Sequence, residues 1–138
     1  MIEFEGGYTN DPYDKGGETK YGIAKTYYPN EDIKNLTMER AKQIYFKDYW
    51  TKNKCESISP RLRFLFFDSC VIPGPSWSAR TLKAFGGDSS KIDPQKWTNA
   101  RWAYFQSRIV KDSTQKKFEA GWKKRCEKSL KYQNSLNV

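Results

Sequence analysis

The sequence predicts a mainly α-helical chain of the α+β class, with one small β-hairpin after the first helix. Over most of the chain, apolar residues recur at three- and four-residue intervals, which is the spacing of one helix face. Only residues 8–23 break this pattern, because they are rich in the turn residues Asn, Asp, Pro and Gly. The length of 138 residues suits one domain with a hydrophobic core, and no stretch resembles an interdomain linker.

The first elements surround this turn-rich stretch. Residues 1–5 are expected to be the end of a short helix, which Gly6-Gly7 would terminate because glycine readily takes the left-handed conformation. Within the following segment, Thr19-Lys20-Tyr21 is expected to be a strand of the hairpin.

Later helices are predicted from their first residues. Thr, Ser and Asp cap a helix by accepting a hydrogen bond from its backbone, and Pro fits the first helical position. The expected starts are Thr37, Ser59-Pro60, Ser76, Asp93-Pro94 and Ser113. The helix that follows Pro60 is apolar on nearly every side, so we expect it in the centre of the domain. Its acid, Asp68, would then need a cationic partner such as Arg, and a structural role is favoured over a catalytic one.

The absence of histidine excludes several kinds of catalysis. Ser-His-Asp triads, Cys-His pairs and HExxH zinc sites all require it. The three cysteines, Cys55, Cys70 and Cys126, are too scattered for a zinc site or a disulfide framework, and buried thiols are expected. We therefore predict no metal and no cofactor. Acid–base chemistry near neutral pH is left to carboxylates.

The net charge of +9 and the aromatic content of 16% suit an anionic partner. Nucleic acid, anionic lipid and the bacterial wall all qualify, and charge alone does not choose among them. The basic runs Lys116-Lys117 and Lys123-Lys124-Arg125 would attract a wall or membrane, or would form a solvated helix face. No apolar run is long enough to span a bilayer, and the first residues do not resemble a signal peptide. Synthesis in the cytoplasm is therefore expected.

Two carboxyl groups near the N-terminus have the environments that glycoside hydrolysis needs. Glu5 would lie at the carbonyl end of a helix and near Phe4 and Tyr8, and both the helix dipole and burial raise a carboxyl pKa. Asp14 lies in a turn open to water and should stay ionised, and Thr19 can hold a water between the two. An acid and a base in different environments are the catalytic pair of a glycosidase. The alternative is an ordinary glycine-rich loop.

The same stretch resembles a known family. The matching positions are Glu5-Gly6-Gly7-Tyr8, Asp11-Pro12, Asp14, Gly16-Gly17, Thr19 and Tyr21-Gly22-Ile23. Together they resemble the signature of the phage and bacterial N-acetylmuramidases of glycoside hydrolase family 108. The resemblance implies a lysozyme-like fold, and the catalytic glutamate of that family corresponds to Glu5.

Weaker resemblance continues along the chain. Residues 101–104 and 118–125 resemble the C-terminal peptidoglycan-binding region of the family. The resemblance therefore implies one lysozyme-like domain over residues 1–138, with a catalytic part at 1–85 and a helical C-terminal part at 86–138. Ile72 stands where relatives usually have an Asn, so a substrate contact at that position is not carried over.

The resemblance implies an endolysin that hydrolyses the β-1,4 bond between N-acetylmuramic acid and N-acetylglucosamine in peptidoglycan. Tyr8, Asn10 and Tyr21 would contact the substrate, although both tyrosines are equally suited to packing the hairpin. The enzyme would act on the wall after release from the bacterial host cytoplasm, with anionic wall polymers or membrane as further partners and no nucleic acid. A lytic transglycosylase and a non-catalytic wall-binding protein of the same fold are the alternatives.

Overall fold

The computed structural model describes residues 8–10 and 17–138, and it confirms the mainly helical α+β class. Three short strands come first: β1 (Thr9–Asn10), β2 (Glu18–Lys20) and β3 (Ile23–Ala24). The α-helices of the described residues are α1 (Met38–Tyr45), α2 (Pro60–Val71), α3 (Pro75–Ala84), α4 (Pro94–Lys111) and α5 (Glu119–Ser135). A π-helical segment spans Phe46–Thr51, and 3-10 turns span Cys55–Ser57, Ser89–Lys91 and Ser113–Phe118.

The chain divides into two compact units, Met1–Lys47 and Asp48–Val138. The first contains the strands and α1, and the second contains α2 to α5. The expected helix over residues 1–5 lies outside the described residues. The expected division of the chain after residue 85 stays a prediction.

Most helices begin at the residues that the capping and proline signals predicted. Thr37 caps α1, because its hydroxyl accepts a hydrogen bond from the Arg40 backbone N–H at 3.1 Å. Pro60 and Pro94 are the first residues of α2 and α4. The predicted start at Ser76 is wrong. The helix begins one residue earlier, at Pro75, whose fixed φ angle suits the first helical position.

The last predicted helix start is wrong in a different way. Ser113 begins a 3-10 turn, and the regular helix α5 starts only at Glu119. The Asp112 carboxylate caps this turn by accepting a hydrogen bond from the Thr114 backbone N–H at 3.0 Å. The short turn thus precedes α5 instead of forming its first turn.

Helix α2 lies in the centre of the second unit, as predicted from its apolar surface. It contacts α3, α4 and α5. The Leu62 and Leu65 side chains on α2 are fully buried, as are Trp97 and Phe105 on α4. All three cysteines are buried free thiols, as expected.

A buried ion-pair cluster holds the second unit together, and Asp68 on α2 is its centre. One carboxylate oxygen lies 2.8 Å from Arg101 on α4, and the other lies 2.8 Å from Arg125 on α5. The Arg101 side chain is fully buried and also donates to the Ile72 carbonyl at 2.7 Å, at the C-terminal end of α2. The predicted structural role of Asp68, with arginine as its partner, is confirmed.

The charges around Asp68 determine its ionisation. Burial acts to raise the pKa of this carboxyl, but the guanidinium groups of Arg101 and Arg125 overcome that effect and hold the pKa below its ordinary value. Asp68 is therefore a carboxylate near neutral pH. A carboxylate held in two ion pairs is not a proton donor for catalysis.

A second polar contact joins α2 to α5. The buried Gln133 side chain accepts hydrogen bonds from the Phe64 and Leu65 backbone N–H groups at 3.0 and 3.2 Å. Its amide nitrogen donates to the Pro60 carbonyl at 3.0 Å. One side chain thereby binds three backbone groups in the first two turns of α2 and joins α5 to that helix.

Replacing Asp68 by Asn should destabilise the second unit by about 3–5 kcal/mol, because the buried Arg101 charge loses its compensation. All five tryptophans lie within residues 48–138, so indole fluorescence during urea unfolding reports on this unit. The matched control is Asp88→Asn, whose ion pair with Lys91 is exposed and should contribute less than about 1 kcal/mol.

The stability difference between wild type and D68N should also depend on pH. Because the folded pKa of Asp68 is depressed, its stabilisation is complete above the ordinary carboxyl value of about 4 and is lost as the pH falls below it. The difference between wild type and D68N should therefore shrink in acid. Equal unfolding midpoints at neutral pH would contradict this account of the cluster.

Candidate active site

The candidate site residues of the first unit lie on a three-stranded antiparallel sheet with strand order β1-β2-β3. Thr19 is in the middle of the central strand, where it pairs with Thr9 of β1 and Ala24 of β3. Asn10 pairs with Glu18 across β1 and β2. The predicted hairpin is thus extended by a third strand.

The pleat of the central strand separates the candidate residues into two sets. Successive side chains of a strand point to opposite faces, so Glu18 and Thr19 lie on different faces of the sheet. Asn10 is directly opposite Glu18 and shares its face. The structure therefore brings Asn10 together with Glu18, whereas the Thr19 side chain is on the other face.

Tyr8 belongs to the same group of side chains, because it forms hydrogen bonds with Asn10 and Glu18. Loss of hydration raises the pKa of the Tyr8 hydroxyl, and the negative charge and hydrogen bond of the Glu18 carboxylate raise it further, against a smaller lowering by Asn10. Tyr8 is 36% exposed, so part of its side chain is accessible to solvent. It stays protonated near neutral pH and can donate a hydrogen bond.

Glu18 was not among the residues singled out from the sequence. The sequence points instead to its neighbour Thr19 as the polar partner of the carboxyl groups. The signal that could have found it is the period-two alternation of a strand, which places residues 18 and 20 on one face. The cross-strand pairing that brings Asn10 to Glu18 is not visible in the sequence.

Tyr21 does not continue the strand as predicted. It forms the turn between β2 and β3 together with Gly22, and both residues have positive φ angles, 53° and 78°. Two central residues with positive φ define a type I′ turn, whose twist matches that of the flanking strands. The ring of Tyr21 lies under the ammonium group of Lys20, 5.5 Å from its centroid. Tyr21 is therefore at the tip of the hairpin.

This turn is tied to helix α1 through Tyr45. The Tyr45 hydroxyl donates a hydrogen bond to the Tyr21 carbonyl oxygen at 2.7 Å. A Cβ atom at Gly22 would overlap the same hydroxyl. Glycine is thus required at this position both for the backbone angle and for the close approach of Tyr45.

The predicted acid and base, Glu5 and Asp14, lie outside the described residues. Two other carboxyl groups of the first unit, those of Glu31 and Asp32, accept hydrogen bonds from neighbouring side chains. The hydrogen bond from Arg40 lowers the pKa of Glu31, and the hydrogen bonds from Asn35 lower the pKa of Asp32. Both are ionised near neutral pH, so neither suits the role of a proton donor.

Residues 8–10 and 17–138 contain neither a metal-binding cluster nor a membrane-spanning helix. No group of three or more His, Cys, Asp or Glu side chains in these ranges is arranged to hold a metal ion. No helix in the described part of the chain is long and apolar enough to cross a bilayer.

The fold is similar to a solved structure. Brucella abortus SagA matches with a TM-score of 0.72 and 23% sequence identity, over 95% of this chain and 87% of that chain. At this level of identity the likeness concerns the fold alone. It is consistent with the mainly helical α+β class that the sequence predicted.

A family model defines the chain more closely. Residues 1–74 match the family described as glycosyl hydrolase 108. Because the match covers more than half of the 138 residues, the chain belongs to this family, as the resemblance implied. It is therefore, by family, a glycoside hydrolase. None of the curated proteins matches the chain.

The double role of Gly22 predicts a coupling with Tyr45. Gly22→Ala should accelerate backbone amide exchange in β2 and β3, because the methyl group overlaps the Tyr45 hydroxyl and the positive φ is strained. Tyr45→Phe alone should cost about 1 kcal/mol, the value of one hydrogen bond. The double variant should lose less than the sum of the two, since Phe removes the overlapping atom. Strict additivity in hydrogen exchange would show that the overlap is not what makes glycine necessary.

Proposed function

We propose that the protein is a peptidoglycan hydrolase that cleaves the β-1,4 bond between N-acetylmuramic acid and N-acetylglucosamine. The observation that carries the proposal is the family match over residues 1–74, which includes the whole run from Glu5 to Ile23. This run contains Glu5 and Asp14, and a pair of carboxyl groups is what glycoside hydrolysis of this kind requires.

Glu5 is the general acid in this proposal. Its carboxyl donates a proton to the glycosidic oxygen as the bond to the anomeric carbon breaks. Asp14, with Thr19, either orients the water that attacks the anomeric carbon and takes its proton, or stabilises the positive charge that develops on the sugar. A carboxyl that is protonated and a carboxylate that is ionised at the same pH are suited to these two roles.

In this proposal the sheet of the first unit contributes to binding the sugar chain. Tyr8 supplies a protonated hydroxyl that donates, Asn10 supplies an amide, and Glu18 supplies a carboxylate that accepts from sugar hydroxyls. Tyr21, at the tip of the hairpin, offers an aromatic ring for stacking on a sugar face. Tyr8, Asn10 and Tyr21 are thus the proposed substrate-binding residues, and Glu18 is added to them.

The charge of the chain fits the same target. A net charge of +9 favours an anionic surface, and the bacterial wall with its polymers is such a surface. We propose that the protein is a bacteriolytic endolysin of the phage type. It would reach the wall after release from the cytoplasm of the host.

Replacing Glu5 by Gln should lower the rate of wall lysis by at least about a hundredfold, because the amide cannot donate the proton. The readout is loss of turbidity of purified sacculi. Glu31→Gln is the matched control: it makes the same chemical change in the same unit, at the ion pair with Arg40, and should leave lysis nearly unchanged. Lysis by E5Q at a rate near that of wild type would reject Glu5 as the acid. Wall binding by the wild type without lysis at any pH would favour a non-catalytic role.

The products distinguish hydrolysis from the intramolecular reaction of a lytic transglycosylase. Hydrolysis adds water across the bond and leaves a reducing muramic acid, so the released muropeptides should have reducing ends by mass spectrometry. Transglycosylation closes an anhydro ring and leaves products lighter by one water. A majority of anhydro products would contradict the hydrolytic mechanism.

A further inference from the structure

Cys55 and Cys70 form a pair of thiols inside the second unit, and the proposed reaction does not use them. Cys55 lies in the 3-10 turn Cys55–Ser57, and Cys70 lies near the C-terminal end of α2. Both side chains are fully buried, and the two thiols are hydrogen-bonded to each other. The Cys55 sulfur also lies 3.7 Å from the Tyr49 carbonyl oxygen. Two cysteines that meet through their sulfur atoms are close enough to form a disulfide.

The segment that carries Cys55 packs along α2 at further points. The Trp50 ring meets the Phe67 ring edge-on, with 5.3 Å between the ring centroids, one turn before the second cysteine of the pair. The Arg63 side chain donates a hydrogen bond to the Ile58 carbonyl oxygen at 3.0 Å. These contacts do not involve the thiols. A disulfide would therefore join two elements that are already in contact.

The turn is the part of this site that can open to a reagent. Lys54 precedes it with a φ angle of 53°, a left-handed conformation that is strained for residues other than glycine. Lys54 and Glu56, on either side of Cys55, are exposed. In the closed turn, the hydrogen bond with Cys70 and burial raise the pKa of the Cys55 thiol, which stays neutral and unreactive. Local opening of the turn removes both causes and brings Cys55 to solvent.

We propose that Cys55 and Cys70 are an oxidation site, at which an external disulfide converts the two thiols into an intramolecular disulfide. The Cys55 thiol loses its proton to water, and its sulfur attacks the external disulfide, which releases one thiolate and leaves a mixed disulfide. The Cys70 thiol then loses its proton and attacks the Cys55 sulfur, which releases the second thiolate. The released thiolates take up the two protons. The cysteines lose two electrons, and these reduce the external disulfide to two thiols.

The fold should direct this oxidation to one pair among the three cysteines. Cys126 lies on α5, where it packs in a cluster with Phe105 and Trp122. The bond between Cys55 and Cys70 would close a loop of about 15 residues, and a closed loop stabilises the folded chain by restricting the unfolded one. Under the proposed function, the chain leaves the reducing cytoplasm for the wall, where disulfides persist. The bond would then form where the protein acts.

Oxidation of the folded full chain by oxidised glutathione tests the proposal. The remaining thiols are alkylated, and the chain is digested with trypsin without reduction. Trypsin cuts after Lys and Arg, so the three cysteines fall in three different peptides, residues 55–61, 64–80 and 126–128. Mass spectrometry should find the first two peptides joined and the third alkylated. In unfolding concentrations of urea, the third peptide should also become linked, because the fold no longer holds Cys126 apart.

Thermal unfolding gives a second measurement with a matched control. The oxidised wild type should unfold roughly 10 °C above the reduced form, and dithiothreitol should reverse the shift. Cys126→Ser removes a buried thiol outside the pair and should keep both the disulfide and the shift. Cys55→Ser and Cys70→Ser should lose both. Equal unfolding temperatures of the oxidised and reduced wild type would contradict the stabilising role of the bond.

Three results with the folded wild type would overturn the proposal. They are complete alkylation of all three cysteines, glutathione adducts without joined peptides, and linkage of Cys126 in a yield similar to that of the pair. Because the wild type alone gives these results, the test stands even where a cysteine variant does not fold. None of the measurements uses lysis. A negative result therefore leaves the proposal for Glu5 intact, and lysis by E5Q would leave the disulfide intact.

Discussion

The buried carboxylate of Asp68 is the constraint on which the second unit depends. It holds Arg101 of α4 and Arg125 of α5 against the central helix α2, at 2.8 Å in each case. A fully buried arginine is costly unless its charge is compensated, so the packing of these helices and the ionisation of Asp68 are coupled. Because α4 and α5 both contact α2, the cluster ties these three helices together. Gln133 adds a neutral contact between α2 and α5.

In the first unit, a single hydrogen bond from Tyr45 holds the small sheet against helix α1. Its sheet has strands of only two or three residues, so side chains from outside the strands must hold it in shape. The Tyr45 hydroxyl does this by binding the Tyr21 carbonyl oxygen at a turn that only glycine can complete at position 22. In the pairing of β1 with β2, Asn10 lies opposite Glu18. In the proposed reaction, this is where the sugar chain would bind.

Much of this architecture was predictable where the signal is local. Thr37, Pro60 and Pro94 mark helix starts because caps and prolines act within one turn. Asp68 could be predicted to need a cationic partner such as arginine, since an unpaired charge is costly to bury. The sequence does not reveal which arginines these are, because Arg101 and Arg125 are more than thirty residues away. Gln133 and Glu18 were missed for the same reason: each acts through a partner that only the fold brings near.

The central claim is that Glu5 gives its proton to a sugar bond held along the hairpin. A crystal structure of E5Q with a bound peptidoglycan glycan fragment tests it most directly. The account predicts that the position 5 side chain lies within about 3 Å of a glycosidic oxygen, and that Tyr8, Asn10 or Tyr21 contacts the sugar. A glycan bound elsewhere, or a position 5 side chain remote from every glycosidic oxygen, would contradict it.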